Sequence, residues 1–305
     1  MLMKAIDSYL SVRRAAGFEL EVPEYLLRSF ARFATQQGQT HVYAQTAIRW
    51  AALAPSAGQR RHRLNTVIRF ARYIRAEDQR HEIPPQGVFG PKPQRRIPFI
   101  FATTEILRLV QEAYRLGPAG SLRPYTYATL FSLLSATGIR ISEALSLRLD
   151  DVAEDGLVIR QTKFKKSRLV PLHETASVGL KRYLIVRARM VTGDDHVFVS
   201  LYERALSYRC VYEVFNYLIE RIGLNHSPGR PRPHIHDIRH SFAVRVLETC
   251  CAQSRDDIGR NMLALSTYLG HTNVADTYWY LEATPQLMAD IAQACETFMQ
   301  GGKGL

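Results

Sequence analysis

The sequence predicts a mainly α-helical protein with one small antiparallel β-sheet, divided into a helical N-terminal domain and a larger helix-rich domain. Three observations lead there. Apolar residues recur at helical spacing through residues 1–83, a Pro- and Gly-rich stretch breaks that pattern at 84–98, and only the region around 157–172 carries the β-branched, alternating character of strands. A length of 305 residues suits two domains or one large one.

Four helices account for 1–83. Ile6, Tyr9 and Leu10 begin a stripe that Gly17 closes. Leu26, Phe30, Phe33 and Ala34 follow after Pro23, and Gly38 ends that helix. A third helix runs through Ile48, Trp50 and Leu53 to Pro55. Ser56 suits the cap of the fourth, whose apolar face is Leu64, Val67, Ile68, Ala71 and Ile74. The same stretch carries Arg60, Arg61, Arg63, Arg69, Arg72, Arg75 and Arg80 against only Glu77 and Asp78. Such an imbalance fits either a solvated helix face or one that meets phosphates, with Arg61, Arg69 and Arg72 as candidate contacts.

Residues 84–98 hold Pro84, Pro85, Gly87, Gly90, Pro91, Pro93 and Pro98 with Lys92, Arg95 and Arg96 between them, which reads as a basic linker. From residue 99 the chain is helical again, except for strands at Leu157–Arg160 and Arg168–Leu172 bracketing a polar turn. Helices are expected at about Glu174–Met190 and 203–222, from Asp237, and near Met262. A last one should begin at Thr284-Pro285, with Leu287, Ile291, Cys295 and Phe298 as its stripe. The second domain is thus expected over 99–285, with a C-terminal helix and tail over 286–305.

Forty Lys and Arg against 28 Asp and Glu leave a net charge of +12, which favours a polyanionic partner, nucleic acid first. No apolar run approaches the roughly 20 residues that span a bilayer, so no membrane association and a cytoplasmic location are expected. Cys210, Cys250, Cys251 and Cys295 have no metal-site spacing, and neither a metal, another cofactor nor a disulfide is expected.

Reactive residue types concentrate in four separate segments. In Ala136–Leu145, Thr137 and Gly138 break one helix and Arg140 opens the next, with Glu143 one turn on and able to orient its guanidinium. An arginine just past such a break can offer its fork to a phosphate. In Thr162–Arg168, Lys163, Lys165 and Lys166 crowd a hairpin tip, where an ammonium can enter a groove or protonate a leaving oxygen. His236 and Arg239 stand one helical turn apart, so both can face one ligand. Leu269-Gly270-His271 is followed nine residues later by Tyr280, with Tyr278 as a rival phenol. Singly, each has an ordinary structural explanation; the order and spacing of all four weigh against coincidence.

That combination resembles the tyrosine recombinase (phage integrase) family. Its first box, T-G-x-R-x-x-E-L, is matched from Thr137 to Leu145 apart from Ala144. A hairpin lysine, H-x-x-R at His236 and Arg239, L-G-H at His271 and the tyrosine at Tyr280 complete the set. The family hairpin often reads G-K-G where this chain has Thr162-Lys163-Phe164; Lys163 aligns best, with Lys165 as the alternative. The resemblance implies a helical core-binding domain, a linker and a catalytic domain. It implies a two-domain, Xer-like enzyme that acts on double-stranded DNA as a homo- or hetero-tetramer, with the C-terminal helix on its own domain or on a neighbour. The Tyr278–Pro285 stretch looks most like recombinases of mobile elements.

On this reading Tyr280 attacks a backbone phosphate. Arg140, Arg239 and His271 offset the growing negative charge, and His236 takes or relays the phenol proton. The resemblance assigns protonation of the 5′ oxygen to Lys163. The alternatives are a type IB topoisomerase-like relaxing enzyme, a non-catalytic DNA-binding protein of the same fold, and a metal-dependent nuclease.

Overall fold

The computed structural model describes residues 1–91, 96–162, 166–225, 229–250 and 255–270. The chain separates into two compact units, Met1–Arg95 and Arg96–Leu305.

The first unit is four helices around one apolar core: α1 (Leu2–Ala15), α2 (Glu21–Thr35), α3 (Ala44–Ala52) and α4 (Ala57–Ile74). Ile6, Leu27, Phe30, Val67 and Phe70 are fully buried at its centre, and Trp50 meets Phe30 edge to face. Ser56 caps α4 by accepting the Gln59 N–H at 3.2 Å. Two expectations need correcting. Helix α2 starts at Glu21, so Pro23 lies inside its first turn, where backbone N–H groups have no intrahelical partner and proline is tolerated. Leu53 lies past the end of α3 and is 66% exposed; Ala54 takes the buried place instead.

The Pro/Gly stretch does not stand apart from both units. Phe89 packs on the first core, and its carbonyl accepts from Arg61 Nη1 at 3.1 Å. Arg96 belongs to the second unit, where it donates to the Arg232 carbonyl at 2.6 Å and pairs with Asp237.

The second unit is mainly α with one three-stranded antiparallel sheet. Its helices are α5 (Thr103–Ala113), α6 (Arg123–Thr137), α7 (Ile141–Ser146), α8 (Glu174–Ala188), α9 (Tyr208–Arg221), α10 (Ile235–Cys250) and α11 (Arg255–Leu269). Helix α6 buries most of its residues, Tyr127, Leu130, Phe131, Leu133 and Leu134 among them, as a helix flanked by neighbours on several sides does. It packs against α5, α8 and α10 and delivers its C-terminal end into the interior. Helices α10 and α11 share a second small core of Val244, Leu247, Met262, Leu265 and Leu269.

The sheet runs β1 (Val152–Ala153), β2 (Gly156–Thr162), β3 (Lys166–Pro171) in that order. Sequence reasoning did not foresee β1, whose two residues pair with Leu157 and Gly156. In β2 and β3, Leu157, Ile159 and Val170 face the core while Leu169 is 51% exposed. Arg168 lies opposite Ile159, two residues from Val170, and so falls on the inward face. Helix α9 begins at Tyr208, not near 203, because a Val199–Ala205 bridge closes a turn there and Ser207 caps the helix. Helix α10 begins at Ile235, two residues before the expected Asp237, so His236 lies within its first turn. Among the described residues, no helix is long and apolar enough to cross a membrane.

Candidate active site

Arg140 owes its place to a break between α6 and α7. Gly138 ends α6 in the left-handed region (φ 60°), and a Cβ there would overlap the Phe242 ring of α10, so both backbone and packing demand glycine. Two residues on, Arg140 is the extended N-cap of α7. Glu143 reaches back, accepting the Arg140 backbone N–H at 2.9 Å and its Nη1 at 2.8 Å. The carboxylate is thus both a helix cap and a guide for the guanidinium.

His236 and Arg239 rise from the start of α10. Asp237, between them, is 3% exposed and accepts the His234 N–H at 2.8 Å, which secures the helix start. Arg239 is equally buried; it donates to the carbonyls of Gly138 and Leu269, each at 2.7 Å. One guanidinium thereby ties the α6 break to the far end of α11.

That far end is where the cations gather. The last carbonyls of a helix have no intrahelical partner and carry the negative end of its dipole. At the end of α11, Tyr268 O accepts from Arg168 Nε at 3.0 Å, Leu269 O from Arg239 Nη2 at 2.7 Å, and Gly270 O from Arg140 Nη2 at 3.0 Å. Three arginines from three segments take three successive carbonyls. Gly270 is left-handed (φ 66°), and a Cβ on it would lie 3.0 Å from Arg168 Nη1. Arg168 also grips both Glu143 oxygens, Nη1 to Oε1 at 3.0 Å and Nη2 to Oε2 at 2.8 Å. Burial pushes the Glu143 carboxyl up, but the hydrogen bonds from Arg168 and Arg140 outweigh it and hold the pKa below the usual carboxylate range.

Arg140, His236 and Arg239 therefore come together. His236 is exposed, yet the protein packed around it and the Arg239 charge beside it depress its pKa below the ordinary histidine value. Its other neighbour is the His240 ring, edge to face at 4.7 Å. Lys163, Lys165, His271, Tyr278, Tyr280 and the stripe from Leu287 to Phe298 lie outside the described residues. Lys166 is described only as backbone, at the start of β3. Arg168 escaped sequence reasoning as a site residue. The signal was available: a charged residue in register with Val170 on the core face of a strand must have a partner.

Of the α4 cations, Arg60 and Arg61 donate to the Ala54 and Phe89 carbonyls, and Arg63 to Trp50 O with its charge over the indole ring. Arg80 pairs with Asp78 at 2.8 Å. Arg69, Arg72 and Arg75 are exposed on successive turns.

Two groups among the described residues have metal-ligand composition: His41, Asp78 and His81, and Asp194, Asp195 and His196. In the first, His81 Nδ1 accepts the Val42 N–H at 3.0 Å, which leaves Nε2 protonated in a neutral ring. That polarity opposes ligation, where the second nitrogen is normally a donor. In the second, Asp194 is spent on the backbone and ring of His196, both at 2.7 Å.

Residues 101–286 match the phage integrase family. An integrase/recombinase of Sinorhizobium fredii, y4rB, is 37% identical over 304 residues, covering 96% of each chain. The tyrosine recombinase XerD of Caulobacter vibrioides is 30% identical over 243 residues, 79% of this chain and 75% of its own. The fold is shared with a lambda integrase tetramer bound to a Holliday junction (TM-score 0.62, 16% identity, 92% of this chain and 76% of that one). The helical scaffold gathers three arginines around one helix end. The chain belongs to the phage integrase family and is a tyrosine-type site-specific recombinase.

Proposed function

We propose that this chain cuts and rejoins double-stranded DNA through a 3′-phosphotyrosine on Tyr280, with Arg140 and Arg239 as the phosphate ligands. The observation that carries this reading is the convergence of both guanidiniums on the carbonyls of Leu269 and Gly270, the two residues just before His271 in the chain. The Tyr280 oxygen attacks phosphorus, the bond to the 5′ oxygen breaks, and the phosphorus stays a diester with the tyrosyl oxygen in place of the 5′ oxygen. His236, neutral at pH 7 because its pKa is lowered, takes the phenol proton; Lys163 gives a proton to the departing oxygen. Charge growing on the non-bridging oxygens is met by the two arginines and His271. Rejoining reverses these steps with the 5′ hydroxyl of a second strand and needs no nucleotide cofactor.

The N-terminal helical unit is the DNA-gripping domain on this reading, and the exposed turns of α4 bearing Arg69 and Arg72 meet the phosphate backbone. Arg61, committed to the Phe89 carbonyl, serves to hold the 84–91 segment. Four subunits act together on paired sites, in keeping with the lambda integrase assembly that shares the fold. Identity to the integrase/recombinase relative exceeds that to XerD, which together with the Tyr278–Pro285 stretch favours service to a mobile element. Such an enzyme works in the cytoplasm, on the cell's DNA.

The test uses a nicked duplex bearing the binding sequence selected by the protein from a random pool. Wild type and Tyr278→Phe should trap a covalent adduct, in the presence of a chelator as well as without it. Tyr280→Phe should bind the duplex and trap none. An undiminished adduct with Tyr280→Phe would refute the assignment.

A further inference from the structure

We infer that Arg168 is a positioning residue for the cleavage step: it sets where the Arg140 guanidinium stands without touching DNA itself. The inference rests on the reading of Arg140 as a phosphate ligand and adds a residue to it.

Arg168 projects from the inward face of β3, opposite Ile159, and its side chain is 16% exposed. A guanidinium there loses much of its hydration and needs acceptors in the protein. Three bonds supply them. Its fork meets the Glu143 carboxylate oxygen for oxygen, and Nε meets the Tyr268 carbonyl. Glu143 in turn holds Arg140 by backbone and side chain, so each carboxylate oxygen accepts two bonds: Arg168 Nη1 and Arg140 Nη1 on Oε1, Arg168 Nη2 and the Arg140 N–H on Oε2. A carboxylate with its four acceptor positions filled cannot rotate without breaking several bonds at once.

The second support of Arg140 is Gly270 O, at the helix end that Arg168 holds through Tyr268, two residues earlier. Arg168 therefore touches both anchors of Arg140, one from the carboxylate side and one from the helix side. The close approach of its Nη1 to the missing Cβ of Gly270 is what lets one side chain reach both. Three of its donors are spent on protein acceptors, and its charge offsets that of Glu143. Its contribution is geometry, and a lysine, with one point charge and no fork, cannot replace it.

Single-turnover cleavage of the nicked duplex tests this with Arg168→Ala, Arg168→Lys, Glu143→Gln, the double variant Glu143→Gln/Arg168→Lys, and Arg140→Ala as reference. DNA affinity of the Arg168 variants should stay within about threefold of wild type, one phosphate contact among many being disturbed. Their rate constant for adduct formation should fall about 10- to 100-fold, as expected for a reacting group displaced by about an ångström. The double variant should be no slower than the slower single variant, within about threefold, because both substitutions remove one linkage. A smaller burst with an unchanged rate constant would mean that Arg168 only stabilises the fold, and would overturn the inference. Multiplicative losses in the double variant, or a wild-type rate for Arg168→Lys, would also overturn it. If Arg140→Ala itself cleaves at the wild-type rate, the phosphate-ligand reading falls and this inference with it. If Arg140→Ala is inactive while Arg168→Lys is unimpaired, only the inference falls.

Discussion

Helix α4 and the end of helix α11 are both rich in arginine, and the two regions use it in opposite ways. Arg69 and Arg72 on α4 and Arg75 at its C-cap are exposed on a helix that would pack as well without them, since its core face is Leu64, Val67, Ile68 and Ala71. Arg168 and Arg239 beside α11 are inward-facing, hydrogen-bonded to main-chain carbonyls, and part of what holds three segments together. Residue type alone does not separate a ligand from a strut. Exposure sets the α4 arginines apart, whereas Arg168 and Arg239 find partners within the folded chain, and on the proposed function Arg239 is both strut and ligand.

Substitution can sharpen that contrast. Arg239→Met should have the largest effect, cutting adduct formation by about a hundredfold or more through loss of a charge-stabilising donor. It should also lower stability by about 1–3 kcal/mol, because the Gly138 and Leu269 carbonyls lose a buried partner. Denaturant unfolding checks the second part, and a midpoint equal to wild type would show that Arg239 is a ligand and no strut.

The next effect is on pH. His236 must be neutral to accept a proton, and its pKa is lowered by burial and by Arg239. A lowered pKa keeps the ring neutral to more acidic conditions, so the acid limb of the cleavage rate should have its midpoint below 6.5, the ordinary histidine value. Its disappearance is expected in His236→Ala. A midpoint at or above 6.5 would contradict the local electrostatics.

The smallest effect belongs to α4. Arg69→Ala and Arg72→Ala should leave the melting temperature unchanged and weaken binding across all DNA sequences. The dependence of log affinity on log salt should become shallower by about 0.9 for each phosphate that the variant no longer neutralises. A melting temperature that fell as in Arg239→Met would erase the distinction between the two regions.

Local periodicity made much of this fold legible. The stripes of α1, α2 and α4 and the Ser56 cap depend on neighbours within a turn or two, and so does the break at Gly138. Pairings over long range were harder. Strand β1 has two residues and exists only because β2 turns back on it. The late start of α9 reflects the bridge between Val199 and Ala205, which no helical pattern announces. Spacing also singled out Arg140, His236 and Arg239, while Arg168 stayed hidden because its partners stand 25 and 100 residues away. Spacing can pick out residues that lie near one another along the chain; a partner 100 residues away becomes visible once the chain is folded.

The carbonyls that seat Arg168, Arg239 and Arg140 belong to residues 268–270 of 305. During synthesis every earlier segment leaves the ribosome before the backbone that will receive its guanidinium does. A chain that stops short of those residues keeps the Glu143 and Gly138 contacts of the three arginines but lacks the carbonyls that fix their other side.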